Sequence, residues 1–313
     1  MKTVFLDAEG LDSLVLDDLK IKCNSFELFS STGPDKTGGR IAEAELVILN
    51  KVKITRKHLE DAPSIKLICV VATGTDIIDL QAAADLGVTV CNCQAYGTDS
   101  VAQHVFTSLL ALFTSLLPYH DSVRRGQWQK ASQFCFLDHP IIELKGKTLG
   151  IVGYGNNGRR VAEIAGAFGM NIVVSRRPGK TGDDRPELEE MLPEVDVLTL
   201  HCPLTPQTKN LINSETLALM KPTAFLVNAA RGGIVDEGAL LESLRTGRLA
   251  GAAVDVLSVE PPRDSNPLLD AKLPNLIITP HCAWASREAR QQIIDQTVEN
   301  IRAFEAGNPV RVV

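Results

Sequence analysis

Three side chains that together could perform acid–base chemistry follow predicted strands of one sheet. Arg231, Glu260 and His281 each come a few residues after a β-branched or apolar run that predicts a strand, and these runs cover 224–228, 252–256 and 276–279. Because ligands on open α/β sheets bind beyond the carboxyl ends of the strands, we expect the guanidinium, the carboxylate and the imidazole to face one site. Each alone would be a solvated loop charge, but together they favour catalysis.

A glycine-rich segment at 148–177 predicts a dinucleotide-binding turn. It reads TLGIVGYGNNGRRVAEIAGAFGMNIVVSRR, with glycines between a strand-like run and an Ala-rich helix. The glycines allow a tight turn, close approach to a pyrophosphate and close packing of helix on strand, and the helix N-terminus supplies N–H groups. The expected cofactor-binding turn residues are Gly153, Tyr154, Gly155, Asn156, Asn157 and Gly158. Asn157 departs from the pattern, since an apolar residue usually precedes the last glycine.

The composition of the chain bounds its class. At 313 residues we expect two domains, and the 44% hydrophobic content and net charge of −6 indicate a globular protein with no nucleic-acid surface. No apolar stretch reaches ~18 residues, which predicts no membrane span. The first residues favour a strand over a signal peptide, so we expect a cytoplasmic protein. The seven cysteines, Cys23 among them, lack CxxC spacing, so we expect reduced structural thiols and no metal site.

The remaining pattern predicts an alternation of strands and helices, which is typical of parallel sheets covered by helices. Before the glycine-rich segment at 148–177 we predict strands at 3–7, 46–50, 66–71 and 88–93. The predicted helices lie at 12–20, 55–62 and 78–86, and Gly87 is a C-terminal stop for the last of them. A loop is predicted at 31–40. A long helix at 100–117, ended by Pro118, is apolar on nearly all sides, and we expect it to be buried between domains or subunits. Later strands are predicted at 172–174 and 197–201, with a last helix at 287–306.

The predicted fold class is α/β. We expect a Rossmann doubly wound parallel sheet, residues 98–284, inserted into a smaller flavodoxin-like α/β substrate domain made of 1–97 and 285–313, with a cleft between them. The final segment is too short for a domain of its own. His201, like His281, ends a predicted strand and is therefore of interest, whereas we expect His104, His120 and His139 to be structural.

Three further stretches carry a family resemblance over nearly the full length. VNAARGGIVDEGALLESLRTGRLAGAAVDVLSVEPP (227–262), TPHCAWAS (279–286) and ATGTDIID (72–79) resemble the D-isomer-specific 2-hydroxyacid dehydrogenases. Within that family, GTDSVAQHV and FCFLDHPIIELKGKTLGIVGYG are similar to the glycerate dehydrogenases, also called hydroxypyruvate or glyoxylate reductases.

The resemblance implies roles for the strand-end residues. His281 would donate a proton to the carbonyl of a 2-keto acid, Glu260 would orient the imidazole, and Arg231 would bind the substrate carboxylate. Backbone N–H groups of Thr73 and Gly74 would complete the carboxylate site. Asp255 resembles the residue that holds the nicotinamide carboxamide, although a strand-end cap is an open alternative. Cofactor contacts are also implied for Cys202, Pro203, Ala229 and Ala230.

The expected cofactor is NADP, with NAD as the alternative. An acidic residue that binds the ribose normally follows the glycine turn, but here Ser175, Arg176 and Arg177 stand in its place. In the alignment of the family, Arg176 occupies the position of that acid. An arginine can pair with the 2′-phosphate of NADP, and loss of the acid removes repulsion against it. The alternative is that these residues form a solvent-exposed basic turn, which ends at Pro178–Gly179 and has no role in cofactor choice. Asp183 and Asp184 come too late to replace the acid unless the loop folds back.

Other functions stay open at this point. The same chemistry could act on another 2-keto acid, or the chain could be a nucleotide-sensing binding protein related to corepressors. A phosphoglycerate dehydrogenase is disfavoured because no regulatory domain follows Val313, and a formate dehydrogenase is disfavoured by Glu260. The expected partner is a small 2-keto or 2-hydroxy acid. We also expect a homodimer through 100–117 and the following loop, whose Trp128, Phe134 and Phe136 suit either an interface or simple packing.

Overall fold

The computed structural model describes residues 1–11, 14–21, 25–177, 180 and 182–313, with the side chains of residues 20 and 21 excepted. Three parts of the sequence-based prediction lie outside the described residues. They are Cys23, the first residues of the predicted helix at 12–20, and Pro178–Gly179 at the end of the predicted basic turn. The chain divides into two compact units, Met1–Gly97 with Ala285–Val313, and Thr98–Trp284.

The first unit is built on a five-stranded parallel sheet of order β2-β1-β3-β4-β5. Its strands are β1 Lys2–Phe5, β2 Ser25–Leu28, β3 Leu46–Leu49, β4 Leu67–Val70 and β5 Thr89–Cys91. Its helices are α1 Asp17–Ile21, α2 Pro34–Ile41, α3 Arg56–Glu60, α4 Leu80–Asp85 and, from the end of the chain, α12 Arg287–Glu305. The two central strands β3 and β4 are buried at every residue, as parallel strands covered on both faces must be. This strand order is the flavodoxin-like one.

The second unit is built on a six-stranded parallel sheet of order β11-β10-β9-β8-β6-β7. Its strands are β6 Thr148–Val152, β7 Asn171–Val174, β8 Val197–Leu200, β9 Phe225–Asn228, β10 Gly251–Val254 and β11 Leu276–Ile278. Its helices are α5 Thr98–Phe113, α6 Leu116–Arg124, α7 Asn156–Ala167, α8 Leu188–Met191, α9 Ser214–Leu219, α10 Glu237–Arg245 and α11 Pro267–Asp270. The strand order reverses between β6 and β8, which makes the sheet doubly wound. The predicted α/β fold class is confirmed.

The predicted loop at 31–40 is wrong, because α2 occupies Pro34–Ile41. The Gly and Pro content suggested a turn, but Pro34 stands at the first helical position, where its missing N–H costs nothing. Thr37 and Ile41, four residues apart, are the buried residues of this helix. Tertiary burial of that stripe outweighs the low helix propensity of Gly38 and Gly39.

The predicted single helix at 100–117 is also wrong. α5 ends at Phe113, and Ser115 adopts a left-handed conformation with φ 50° before α6 begins. Pro118 lies in the first turn of α6, where backbone N–H groups have no partner within the helix, so it starts a helix instead of ending one. The apolar face of α5 packs into the core of its own unit, around Leu109, Leu149 and Phe225.

No single helix in the described part of the chain is long and apolar enough to cross a membrane. α5 and α6 pass that test of length and composition only as a pair bent by 60°.

Candidate active site

His281 and Glu260 form a direct pair at the carboxyl edge of the second unit's sheet. His281 Nδ1 lies 2.6 Å from Glu260 Oε2, and Glu260 Oε1 accepts the backbone N–H of Leu257 at 2.8 Å. Because a carboxylate only accepts hydrogen bonds, this contact places a proton on Nδ1. Nε2 is then the nitrogen that can exchange a proton with a ligand, and the side chain is 28% exposed.

The turn that carries His281 is held in an unfavourable backbone conformation. His281 has φ 52°, which costs a non-glycine residue about 1–2 kcal/mol. Its N–H donates to Asp255 O at 2.7 Å, and its carbonyl accepts Trp284 Nε1 at 2.9 Å. The buried Asp255 carboxylate accepts the backbone N–H groups of Cys282 at 3.0 Å and Ala283 at 2.8 Å. Asp255 therefore caps its strand end and holds the turn of the imidazole.

His104 on α5 joins this network, although the sequence suggested only a structural role. Its Nε2 lies 3.1 Å from Thr279 Oγ1, and Thr279 Oγ1 donates to Asp255 Oδ1 at 2.5 Å. The single hydroxyl proton of Thr279 points to the carboxylate, so His104 is the donor to Thr279. His104 lies 175 residues before Thr279 in the sequence, and tertiary packing of α5 brings its imidazole to this site. No spacing of residues in the sequence could therefore have predicted the contact.

One group of metal-ligand types lies beside the site. Nitrogen, oxygen and sulfur atoms of His104, Asp255 and Cys282 lie within 4.8 Å of one another. Both Asp255 oxygens already accept hydrogen bonds. The pKa of the Cys282 thiol is raised, mainly because the thiol is desolvated and also because the Asp255 carboxylate lies nearby. Metal ligation by Cys282 needs the thiolate, which the raised pKa disfavours, so the group has the character of a hydrogen-bonded cluster.

Arg231 follows β9 on a turn shaped by a buried amide. Asn228 is 1% exposed, its Nδ2 donates to Arg231 O at 2.9 Å and its Oδ1 accepts Ala230 N at 3.1 Å. Arg231 Nη1 donates to Ala230 O at 2.7 Å, and the exposed guanidinium makes no ion pair with any described residue. The remaining donors of its fork suit a ligand carboxylate. Ala229 and Ala230 are half-buried on the same turn, and both backbone groups of Ala230 are engaged in these hydrogen bonds.

The glycine turn after β6 has the shape that a pyrophosphate requires. Gly153 has φ 96°, and a Cβ there would lie 2.6 Å from Cys202 N, while a Cβ at Gly158 would lie 2.1 Å from Gly153 O. At Gly155 a Cβ would meet nothing within 4 Å, so this glycine faces open space. No side chain caps α7, which leaves its first N–H groups available to an anion. Tyr154 and Asn156 are exposed on the turn, and Asn157 is half-buried.

Two buried polar atoms without partners flank the glycine turn. Ser175 Oγ follows β7 and His201 Nδ1 follows β8, on either side of β6, and neither atom has a hydrogen-bond partner among the described residues. Burial lowers the pKa of His201 to about 4, which keeps its imidazole neutral. Cys202 is buried beside it, with its pKa raised to about 11 by desolvation, and Pro203 O accepts Thr208 Oγ1 at 2.6 Å. The uncapped helix, the open glycine and the unpaired Ser175 hydroxyl fit a dinucleotide.

The basic segment after β7 folds back on acidic residues. Arg176 Nη1 pairs with Glu187 Oε1 at 2.5 Å, and Asp183 Oδ2 accepts Arg177 N at 3.4 Å. Asp183 also pairs with Arg185, which holds the pKa of that carboxyl well below its usual range. The sequence placed Asp183 too far along the chain unless the loop folded back, and the loop does so. The Arg177 side chain is exposed and has no ion-pair partner among the described residues.

Thr73 and Gly74 lie in the first unit, just beyond the carboxyl end of β4. Thr73 O accepts Asn92 Nδ2 at 2.8 Å, which fixes the turn. Thr73 is exposed and Gly74 half-buried, and neither donates its backbone N–H to a described residue. These donors are available to an anion.

Comparisons with known proteins agree with this geometry. Residues 106–283 match the model of the D-isomer specific 2-hydroxyacid dehydrogenase, NAD binding domain. The chain belongs to the D-isomer-specific 2-hydroxyacid dehydrogenase family. It is 46% identical over 312 residues to a glycerate dehydrogenase of Methylorubrum extorquens, with 100% of this chain and 98% of that protein covered. It is 37% identical to a hydroxypyruvate reductase of Blautia hydrogenotrophica, with 98% and 95% covered.

A solved member of this dehydrogenase family has the same fold. The NADPH-dependent glyoxylate/hydroxypyruvate reductase of Sinorhizobium meliloti, determined with NADP and malonate, superposes with a TM-score of 0.80 at 26% identity, and 100% of this chain and 96% of that chain are covered. The protein described here is accordingly a nicotinamide-dependent oxidoreductase that interconverts a 2-keto acid and a 2-hydroxy acid.

Proposed function

We propose that this dehydrogenase reduces hydroxypyruvate, glyoxylate or both to the D-2-hydroxy acid, with NADPH preferred over NADH. The observation that carries the proposal is the His281–Glu260 pair at 2.6 Å, on the same sheet edge as Arg231 and the glycine turn. The names of the similar glycerate dehydrogenase and hydroxypyruvate reductase support the small substrate.

The proposed mechanism assigns one task to each residue. When bound, the nicotinamide supplies the hydride for the keto carbon. His281 donates the proton on Nε2 to the carbonyl oxygen, while Glu260 holds Nδ1 and stabilises the imidazolium. Arg231 binds the substrate carboxylate and polarises the carbonyl, because its guanidinium presents two parallel donors. The backbone N–H groups of Thr73 and Gly74 are assigned to substrate binding.

The cofactor assignment falls on the second unit, residues 98–284. The pyrophosphate is assigned to the turn from Gly153 to Gly158 and to the N-terminus of α7. Asp255 is assigned to the nicotinamide carboxamide in addition to its role as a cap, and Cys202, Pro203, Ala229 and Ala230 to backbone contacts. Residues 1–97 and 285–313 are assigned to the substrate.

The NADPH preference rests on the segment after β7. Within the part of the chain that the structure describes, Ser175 Oγ has no hydrogen-bond partner and Arg177 is an exposed cation without an ion pair. A 2′-phosphate would satisfy both groups and compete with Glu187 for Arg176, and a hydrogen bond to a charged group contributes about 1.5–3 kcal/mol. The similar reductase of Sinorhizobium meliloti is named NADPH-dependent, which agrees with this reading.

A panel of keto acids with both coenzymes tests the proposal. We expect kcat/KM to be highest for hydroxypyruvate or glyoxylate and higher with NADPH than with NADH. The double variant R176Q/R177Q should lower the NADPH to NADH ratio by about 10- to 100-fold or more, since each charged contact that is lost corresponds to about 10- to 100-fold. R185Q is the matched control, because Arg185 is on the same segment but pairs with Asp183. If kcat/KM of the parent enzyme for NADPH is lower than kcat/KM for NADH, the NADPH assignment is contradicted. Binding of NADPH without turnover of any keto acid would favour a nucleotide-sensing protein.

The assembly and compartment are further parts of the proposal. A homodimer is supported by apolar side chains exposed on and after α6, namely Leu117 at 50%, Trp128 at 53%, Phe134 at 87% and Leu137 at 76%. Sedimentation at micromolar concentration should give twice 33.9 kDa, and a mass equal to one chain would refute the dimer. Free cysteines at all six described positions agree with a reducing cytoplasm.

A further inference from the structure

One carboxylate outside the catalytic pair holds the loop on which Glu260 lies. Glu237, the first residue of α10, accepts Ser258 N at 2.7 Å, Ser258 Oγ at 2.9 Å and Asn266 Nδ2 at 2.8 Å. Asn266 is 3% exposed, and its Oδ1 accepts Leu268 N at 2.9 Å, so it is itself anchored. A single side chain thus ties both ends of the segment 258–266.

The segment between these two anchors has little burial of its own. Glu260 and most of its neighbours are exposed, with Val259 at 65%. The hydrogen bond from Leu257 N to Glu260 Oε1 orients the carboxylate relative to the loop, but it cannot fix the loop relative to the sheet. A loop with few buried contacts opens easily, so its position depends on the remaining polar anchors.

The same loop is packed tightly against the Arg231 turn. A Cβ at Gly232 would lie 1.9 Å from the carbonyl carbon of Leu257 and 2.4 Å from Ser258 N. Glu237 follows Gly232 by five residues, and Ser258 is the residue that both of them contact. The anchor therefore fixes the distance between the turn of Arg231 and the loop of Glu260.

We propose that Glu237 is a positioning residue that holds Glu260 in register with His281. The proposal rests on the proposed function of that pair in proton transfer. Glu237 acts through the loop and touches neither substrate nor cofactor. Loss of its carboxylate should release the loop, so that Glu260 spends less time on His281 Nδ1 and the imidazole loses its orientation.

Two variants and one control test this role in the full chain. E237A removes all three contacts. E237Q keeps one oxygen for Ser258 N–H but brings an NH₂ group towards Asn266 Nδ2, which is also a donor, so it should retain part of the function. E242A on the same helix is the matched control, because it makes the same charge change at an exposed side chain.

We expect E237A to lower kcat for hydroxypyruvate by about tenfold, the scale of partners that orient an imidazole, with E237Q between it and the parent enzyme. The Kd for NADPH should stay within twofold, since the glycine turn is untouched. Amide hydrogen exchange in peptides covering 257–261 should accelerate in E237A and not in E242A. A kcat within twofold of the parent, or unchanged exchange at 257–261, would overturn the proposal. If the parent reduces no 2-keto acid, the proposed function fails, while the exchange data still decide whether Glu237 holds the loop.

Discussion

The chemistry of His281 depends on a backbone conformation that the residue disfavours. Its positive φ costs about 1–2 kcal/mol, whereas each hydrogen bond from the turn to the Asp255 carboxylate contributes about 1.5–3 kcal/mol because one partner is charged. The network therefore outweighs the strain. The imidazole is held in one orientation, with Glu260 on Nδ1, and this saves reorganisation when the proton is transferred.

Replacement of His281 should abolish most of the turnover. We expect H281N to lower kcat with hydroxypyruvate by on the order of 10²-fold or more, since the proposed proton donor is removed. Asparagine tolerates the left-handed conformation, so the turn should survive and the Kd for NADPH should stay near that of the parent. H120N, at an exposed histidine, is the control for steady-state kinetics. Near-normal reduction by H281N would exclude His281 as the proton donor.

At the level of elements, register brings the site together. β9, β10 and β11 pair in parallel, with Asn228 opposite Val254 and Val254 opposite Ile278. The three strands therefore end at the same level, and the residues that follow them share one edge of the sheet. Apolar runs in the sequence predicted β9 and β10 well because both strands are buried at every residue. The same reasoning failed at α2, where two glycines and a proline hid a helix.

The glycines of α2 provide an element-scale test. A Cβ at Gly39 meets nothing within 4 Å, and the residue is exposed in a helix, so G39A should stabilise the protein by about 0.4–1 kcal/mol through the unfolded chain. Gly87 also has open space, but its φ is 71°, so G87A should destabilise by a similar amount or more. Urea denaturation compares the two variants with the parent. Equal effects of the two substitutions would contradict the helix at Pro34–Ile41.

At the scale of the whole molecule, each of the two units has its own parallel sheet and buried core. The interior of the second unit contains a titratable group, His201, whose ring Nδ1 is buried and has no hydrogen-bond partner among the described residues. Its neutral form is the one compatible with the fold, because burial lowers its pKa to about 4 from the usual ~6.5. This residue links global stability to pH.

The sign of that linkage follows from the direction of the shift. Below about pH 6.5 the unfolded chain binds a proton at His201 that the folded chain refuses, so stability is complete above 6.5 and is lost as the pH falls towards about 4. Between pH 7 and pH 5 we expect the free energy of unfolding to fall by about 1–2 kcal/mol on account of this residue. H201N should reduce that pH-dependent loss, whatever its effect on stability at pH 7. An identical loss in H201N and the parent would contradict the assignment.

The sequence by itself determined the fold class and the strands that end at the site, and it predicted the residue types that we propose for catalysis. These follow from local patterns, since buried parallel strands are apolar runs, and a glycine turn must carry glycine where a Cβ would clash. Only the tertiary structure decided how Asp255, Thr279 and His104 hold the imidazole, and that Glu237 holds the loop of Glu260. Such contacts join residues 21 to 175 positions apart, and side-chain hydrogen bonds over those distances depend on packing that no local pattern encodes.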